Sequence, residues 1–256
     1  MFEQSSLYSA QLGREVALDV FLPDDCRAGA PCPVLYLHDG GIYYEDGLHF
    51  REYYEAYRRF LPRVIIVGIE PPADRRARTE ELSPYTKTFD PHGADFAPLV
   101  RGKGEELAAW IIHDLKPHID ARYPTLPERE HTAIGGFSSG ALNAMYCAMA
   151  HGDVFGRLLM QSPAFHLWLD ELTETMRSAD LRSLRSCYMD IGTNDFTRMT
   201  TKEESLSAAR EMCAQLLAHG MTPEHFRFFV VPDGQHTPAS WRWSFPDALR
   251  WVFRDI

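Results

Sequence analysis

The chain of 256 residues has no apolar run near the roughly 20 residues that a helix needs to cross a bilayer, which argues against a membrane protein of that kind. Its first residues, Met1-Phe2-Glu3-Gln4, lack the basic and apolar segments of a secretory leader, so a cytoplasmic location is expected. Cysteine is sparse. Cys26, Cys32, Cys147, Cys187 and Cys213 are odd in number and none forms C-x-x-C, so they read as reduced thiols, mostly core, and not as a disulfide framework. No H-E-x-x-H and no Cys/His pair at ligand spacing occurs, so a metal is not implied. Positive charge is also short. Lys and Arg total 26 against 36 Asp and Glu, and a net charge of −10 repels phosphate backbones, which excludes non-specific nucleic-acid binding. Internal repeats, low-complexity tracts and linkers are absent. A composition of 45% apolar and 24% charged residues is globular, and a single domain over residues 1–256 is expected to bury its own core without a metal or disulfides.

What is present is alternation. Phe2–Gln11 and Glu15–Leu22 alternate apolar and polar residues around Gly13, the pattern of a hairpin. Pro33–Leu37 and Arg63–Ile69 are short continuous apolar runs, as expected of parallel strands covered on both faces. Gly104–Arg122 has helical spacing, with Pro117 expected to disturb its last turns. Strand candidates His131–Gly135, Phe155–Gln161, Cys187–Ile191 and Phe226–Val231 then alternate with helix candidates Ala141–Ala150, Ser205–His219 and Pro238–Phe253. This order predicts an α/β fold: a mostly parallel central sheet with an N-terminal antiparallel hairpin and helices on both faces. Residues 71–103 show no period and read as one long irregular loop near the site.

Gly136-Phe137-Ser138-Ser139-Gly140 fits G-x-S-x-G, directly after a strand candidate and opening a helix. That is the setting of a nucleophile elbow, a strained turn whose neighbours must be small for strand and helix to pack closely. A serine needs a base, and the base an orienting acid, each on a loop after a later strand. Asp195 follows the strand Cys187–Ile191 and His236 follows the strand Phe226–Val231, so Ser138, Asp195 and His236 form the expected triad in the expected order. Asp190 lies inside its strand and reads as a buried, hydrogen-bonded carboxylate; Asp233 is too near His236 and reads as a turn former. Oxyanion donors are expected from the Ser139 amide and from Gly41, with Gly40 as the alternative. His38 beside them reads as a hydrogen-bonded tether for that loop.

With these residues in place the chain resembles the esterase family of α/β-hydrolases that includes esterase D and enterochelin-esterase-like proteins. The resemblance rests on Val20–Pro23, Leu35–Gly41, Arg78–Pro84, Leu115–Asp120 with Tyr123, Gly136–Gly140, Gly192–Asp195, and Gly234–His236 with Trp241. It implies the α/β-hydrolase fold, a serine ester hydrolase acting through an acyl-enzyme, a small-molecule ester as partner and no cofactor. Two positions depart from the family pattern: Ala141 stands where a second glycine usually ends the elbow, and Gln235 where a glycine usually precedes the histidine. An acyltransferase, a thioesterase or a non-catalytic binding protein on the same fold are the alternatives. For substrate contacts, Tyr43 with Tyr44, and Phe165, His166 and Trp168, are expected to rim an aromatic pocket. Arg75, Arg76 and Arg78 form a basic cluster suited to an anionic or catecholate substrate.

Overall fold

A computed structural model describes residues 2–40, 50–88 and 99–256. Its strands are β1 (Phe2–Ser9), β2 (Arg14–Phe21), β3 (Val34–His38), β4 (Ile65–Ile69), β5 (Lys87–Thr88), β6 (Leu99–Val100), β7 (Thr132–Phe137), β8 (Arg157–Gln161), β9 (Ser186–Asn194) and β10 (Phe226–Gln235). Its helices are α1 (Asp24–Arg27), α2 (Phe50–Tyr57), α3 (Arg75–Leu82), α4 (Gly104–Trp110), α5 (Lys116–Arg122), α6 (Ser139–Ala150), α7 (Leu169–Met176), α8 (Lys202–Ala218) and α9 (Pro238–Val252). Eight strands form one sheet in the order β1-β2-β4-β3-β7-β8-β9-β10. The hairpin β1–β2 is antiparallel, β2 joins β4 antiparallel, and every later pairing is parallel.

The period-two geometry of a strand sends alternate residues to opposite faces, and both faces are covered. In β3, Val34 and Tyr36 join the core that includes Trp110, Ile111 and Leu142. Leu35 and Leu37 join the core on the other face, with Tyr54, Phe245 and Leu249. The same split divides Leu158 and Met160 from Leu159 in β8. Gly13 turns the hairpin at φ 68°, a conformation that glycine adopts without a Cβ penalty.

Three expectations are corrected. Residues 71–103 are not one irregular loop: Asp74 accepts a hydrogen bond from the Ala77 N–H (2.8 Å) and starts α3, and β5 pairs with β6. The helix over 104–122 is interrupted before Pro117 and not in its last turns. A wider π turn over Ile111–Leu115 separates α4 from α5, so the carbonyl that the proline cannot bond is accommodated upstream. Cys26 and Cys32 are not free thiols; they form a disulfide with Cα atoms 5.9 Å apart, because α1 and the turn at Gly29 (φ 96°) fold the chain back on itself. Cys147, Cys187 and Cys213 are free. Among the described residues no helix is long and apolar enough to cross a membrane.

Candidate active site

Parallel strands end at one edge of the sheet, and the chemistry-bearing residues gather there. Ser138 joins β7 to α6 at φ 53° and ψ −119°, a strained position for a residue with a side chain. The flanking glycines make it possible. A Cβ on Gly136 would lie 2.5 Å from the Gly140 carbonyl carbon, and one on Gly140 would lie 2.9 Å from the His38 Cβ. Backbone bonds fix the turn: the Ser138 N–H donates to the Gln161 carbonyl (3.1 Å), and the Ala164 N–H donates to the Ser138 carbonyl (3.2 Å).

The His236 ring bridges the other two residues of the expected triad. Its Nε2 lies 2.8 Å from Ser138 Oγ and its Nδ1 lies 2.8 Å from Asp195 Oδ1. Asp195 is buried just beyond β9, and His236 sits between β10 and α9. The chain around it is bonded locally, since the Gln235 N–H reaches Ser240 Oγ (2.9 Å) and Thr237 caps α9. Gln235 therefore serves the loop through its backbone, and its side chain is exposed. Ala141, the other departure, is fully buried in the core. Trp241 backs the imidazole edge-on at 5.2 Å and stacks on Phe137, the residue before the serine. In the sequence Trp241 figures only within the family resemblance, and its contact with the His236 ring is not read from it.

Asp190 is placed as its strand position implies. It accepts from Ser244 Oγ (2.7 Å), Tyr188 OH (3.2 Å) and Gln161 Nε2 (3.3 Å), and burial pushes its pKa up to about 6. Asp233 takes φ 56° in the turn before the histidine. Ser139 is the first residue of α6, where N–H groups have no intrahelical acceptor. Gly41 and Tyr43, with Tyr44, lie outside the described residues. His38 is fully buried, with the Asn143 side chain of α6 beside its ring.

A cavity of about 460 Å³ opens at Ser138 and His236. Leu99, Val100, Ala164, Leu167 and Met199 make its walls apolar, and Arg75, Arg76 and His166 add polarity. Arg78 is turned away from it: its guanidinium grips the buried Asp39 through two bonds of 2.8 and 2.6 Å. Trp168 and Phe165 are buried in the core, and Trp168 packs on Tyr85, so neither is a wall residue. Among the described residues no group of three His, Cys, Asp or Glu is arranged to hold a metal ion.

Comparison with known proteins gives the family. The sequence profile described as "Putative esterase" matches residues 9–252. The chain belongs to this family. Within the wider set of similar proteins, the uncharacterised YjcH of Bacillus subtilis (strain 168) is 28% identical over 254 residues, covering 97% of this chain and 95% of that protein. Among solved structures, an IroE-like serine hydrolase from Shewanella oneidensis superposes with a TM-score of 0.77 at 21% identity, covering all of this chain and 81% of its own. The enterobactin esterase FES from Shigella flexneri superposes at 0.76 and 19% identity; this esterase-family chain is covered over 99% but spans only 59% of that longer protein. Likenesses at this identity establish the shared α/β-hydrolase fold.

Proposed function

We propose that this chain is a serine ester hydrolase that cleaves a small-molecule carboxylic ester through an acyl-enzyme. Family membership supports ester hydrolysis as the reaction class. The observation that carries the mechanism is the unbroken relay of two 2.8 Å contacts from Ser138 Oγ through His236 to Asp195. In it Ser138 Oγ attacks the ester carbonyl carbon while its proton passes to His236 Nε2. Asp195, at Nδ1, holds the ring in the tautomer that can accept that proton and stabilises the imidazolium. The Ser139 amide, with a second donor assigned to Gly41, receives the oxyanion. Collapse of the tetrahedral adduct breaks the C–O bond to the alcohol, which leaves with the proton from Nε2. Water then gives a proton to His236 Nε2 and attacks the acyl carbon; the bond to Ser138 Oγ breaks, Oγ takes that proton back, and the acid leaves.

Arg75 and Arg76 of α3 favour a substrate with negative charge or acidic hydroxyls, and a siderophore-type ester is the concrete candidate. An acyltransferase or thioesterase would use the same relay. A binding protein has no need of a serine held at a strained φ within reach of a histidine. The deciding experiment is Ser138→Ala assayed on a p-nitrophenyl ester. Turnover should fall by several orders of magnitude, leaving roughly 10³–10⁴ over water from the remaining site, with the circular-dichroism spectrum unchanged. An unaltered rate in the folded variant would sink the reading.

A further inference from the structure

His166 lines the cavity in the short turn Phe165–Leu167 that follows β8. Its place relative to the reacting serine is set by backbone bonding, since Ala164, two residues earlier, donates its N–H to the Ser138 carbonyl (3.2 Å). The ring is under-used. Its Nε2 is closed off in the protein and its Nδ1 is accessible, and neither has a hydrogen-bond partner among the described residues. Polar groups enclosed by a protein are nearly always paired, and an accessible ring nitrogen left unpaired at a cavity wall points to a partner that arrives with the ligand. His38, enclosed in the core beside Asn143, does not line this cavity.

We propose that His166 is a specificity-determining residue that hydrogen-bonds a hydroxyl group on the bound ester, a refinement that rests on the ester-hydrolase reading above. The chemistry fits in three ways. Burial, and then the nearby His236, lower the pKa of the ring to about 4, so it is neutral at physiological pH. A neutral imidazole offers one donor and one acceptor, which a hydroxyl matches in either sense and a carboxylate does not. The surrounding Leu99, Val100, Leu167 and Met199 hold the carbon frame of such a ligand. Arg75 and Arg76 act on charge, a separate feature of the substrate.

The test uses two pairs of esters of equal frame: ethyl 4-hydroxyphenylacetate against ethyl phenylacetate, and 2-(4-hydroxyphenyl)ethyl acetate against 2-phenylethyl acetate. The first pair places the hydroxyl on the acyl group and the second on the alcohol. In the wild-type enzyme one pair should show a kcat/KM ratio of ~10 or more in favour of the hydroxylated member, the scale of one well-made hydrogen bond. His166→Leu should bring that ratio near one, and His166→Asn, which keeps a donor and an acceptor, should restore part of it. Ratios near one in both pairs for the wild type overturn the inference and need no variant. So does a ratio that survives His166→Leu. No turnover of any of the four esters overturns the ester-hydrolase reading itself, whereas equal turnover removes only the role of His166.

Discussion

Ser138 holds φ 53°, a conformation that costs a residue with a side chain of order 1–3 kcal/mol, and the surrounding structure must over-determine it. The two elbow glycines and the bonds to Gln161 and Ala164 do so. The same scale separates two acids only five positions apart. Asp195 leaves β9 and meets His236 at 2.8 Å; Asp190 stays within the strand and is consumed by Ser244, Tyr188 and Gln161. Asp195→Asn should therefore lower kcat by about 10⁴, because the amide favours the wrong imidazole tautomer. Asp190→Asn should act chiefly on stability, by replacing an acceptor with a donor in a buried network. Steady-state kinetics and thermal unfolding of both variants test the pair. If Asp190→Asn is the folded but inactive one, the acid has been assigned to the wrong residue.

At the scale of elements, the sequence was most legible where a single force acts. Continuous apolar runs located β3 and β4 within a few residues, short strand candidates located β7 and β8, and chain order located the loops that carry Asp195 and His236. It was least legible at α3, Arg75-Arg76-Ala77-Arg78-Thr79-Glu80-Glu81-Leu82, a polar helix with two buried residues and hence no apolar stripe to read. Only its cap, Asp74, carried a local signal. The disulfide was illegible for a related reason, since an odd cysteine count does not say which pair the turn at Gly29 brings together. Once folded, α3 divides its arginines. Arg75 and Arg76 line the cavity, and Arg78 clamps Asp39, the residue just after β3. Arg78→Ala leaves a buried carboxylate beside Glu70 and should destabilise the fold by about 3–5 kcal/mol. The double variant Arg75→Ala/Arg76→Ala should instead lower the kcat/KM ratio of an anionic over a neutral ester of equal size, the more so at low salt, with little change in Tm. A ratio unmoved by the double variant at low salt would remove charge from the substrate description.

For the molecule as a whole, net charge −10 hides a few buried groups whose titration sets how stability varies with pH. Glu70 follows β4 and is buried, with neither carboxylate oxygen hydrogen-bonded among the described residues. Burial first, then Asp19 of β2 and Asp39 after β3, raise its pKa from 4.5 to about 8, against the opposing effect of Arg14. Between those values the folded chain holds a proton that the unfolded chain has lost, so stability falls as pH rises from 4.5 to 8 and levels off above it. Asp190, raised to about 6, acts in the same sense over a shorter window. His38 and His166, both lowered to about 4, act oppositely: the unfolded histidines bind protons that the folded ones refuse, so stability rises from pH 4 to 6.5. The total curve mixes these terms, and a difference isolates one. Glu70→Gln keeps the shape of the protonated carboxyl but does not ionise. Its unfolding free energy, measured by denaturant titration, should therefore gain on that of the wild type steadily from pH 5 to pH 8. A difference between the two proteins that stays constant over that range would show that Glu70 ionises alike in the folded and unfolded chains.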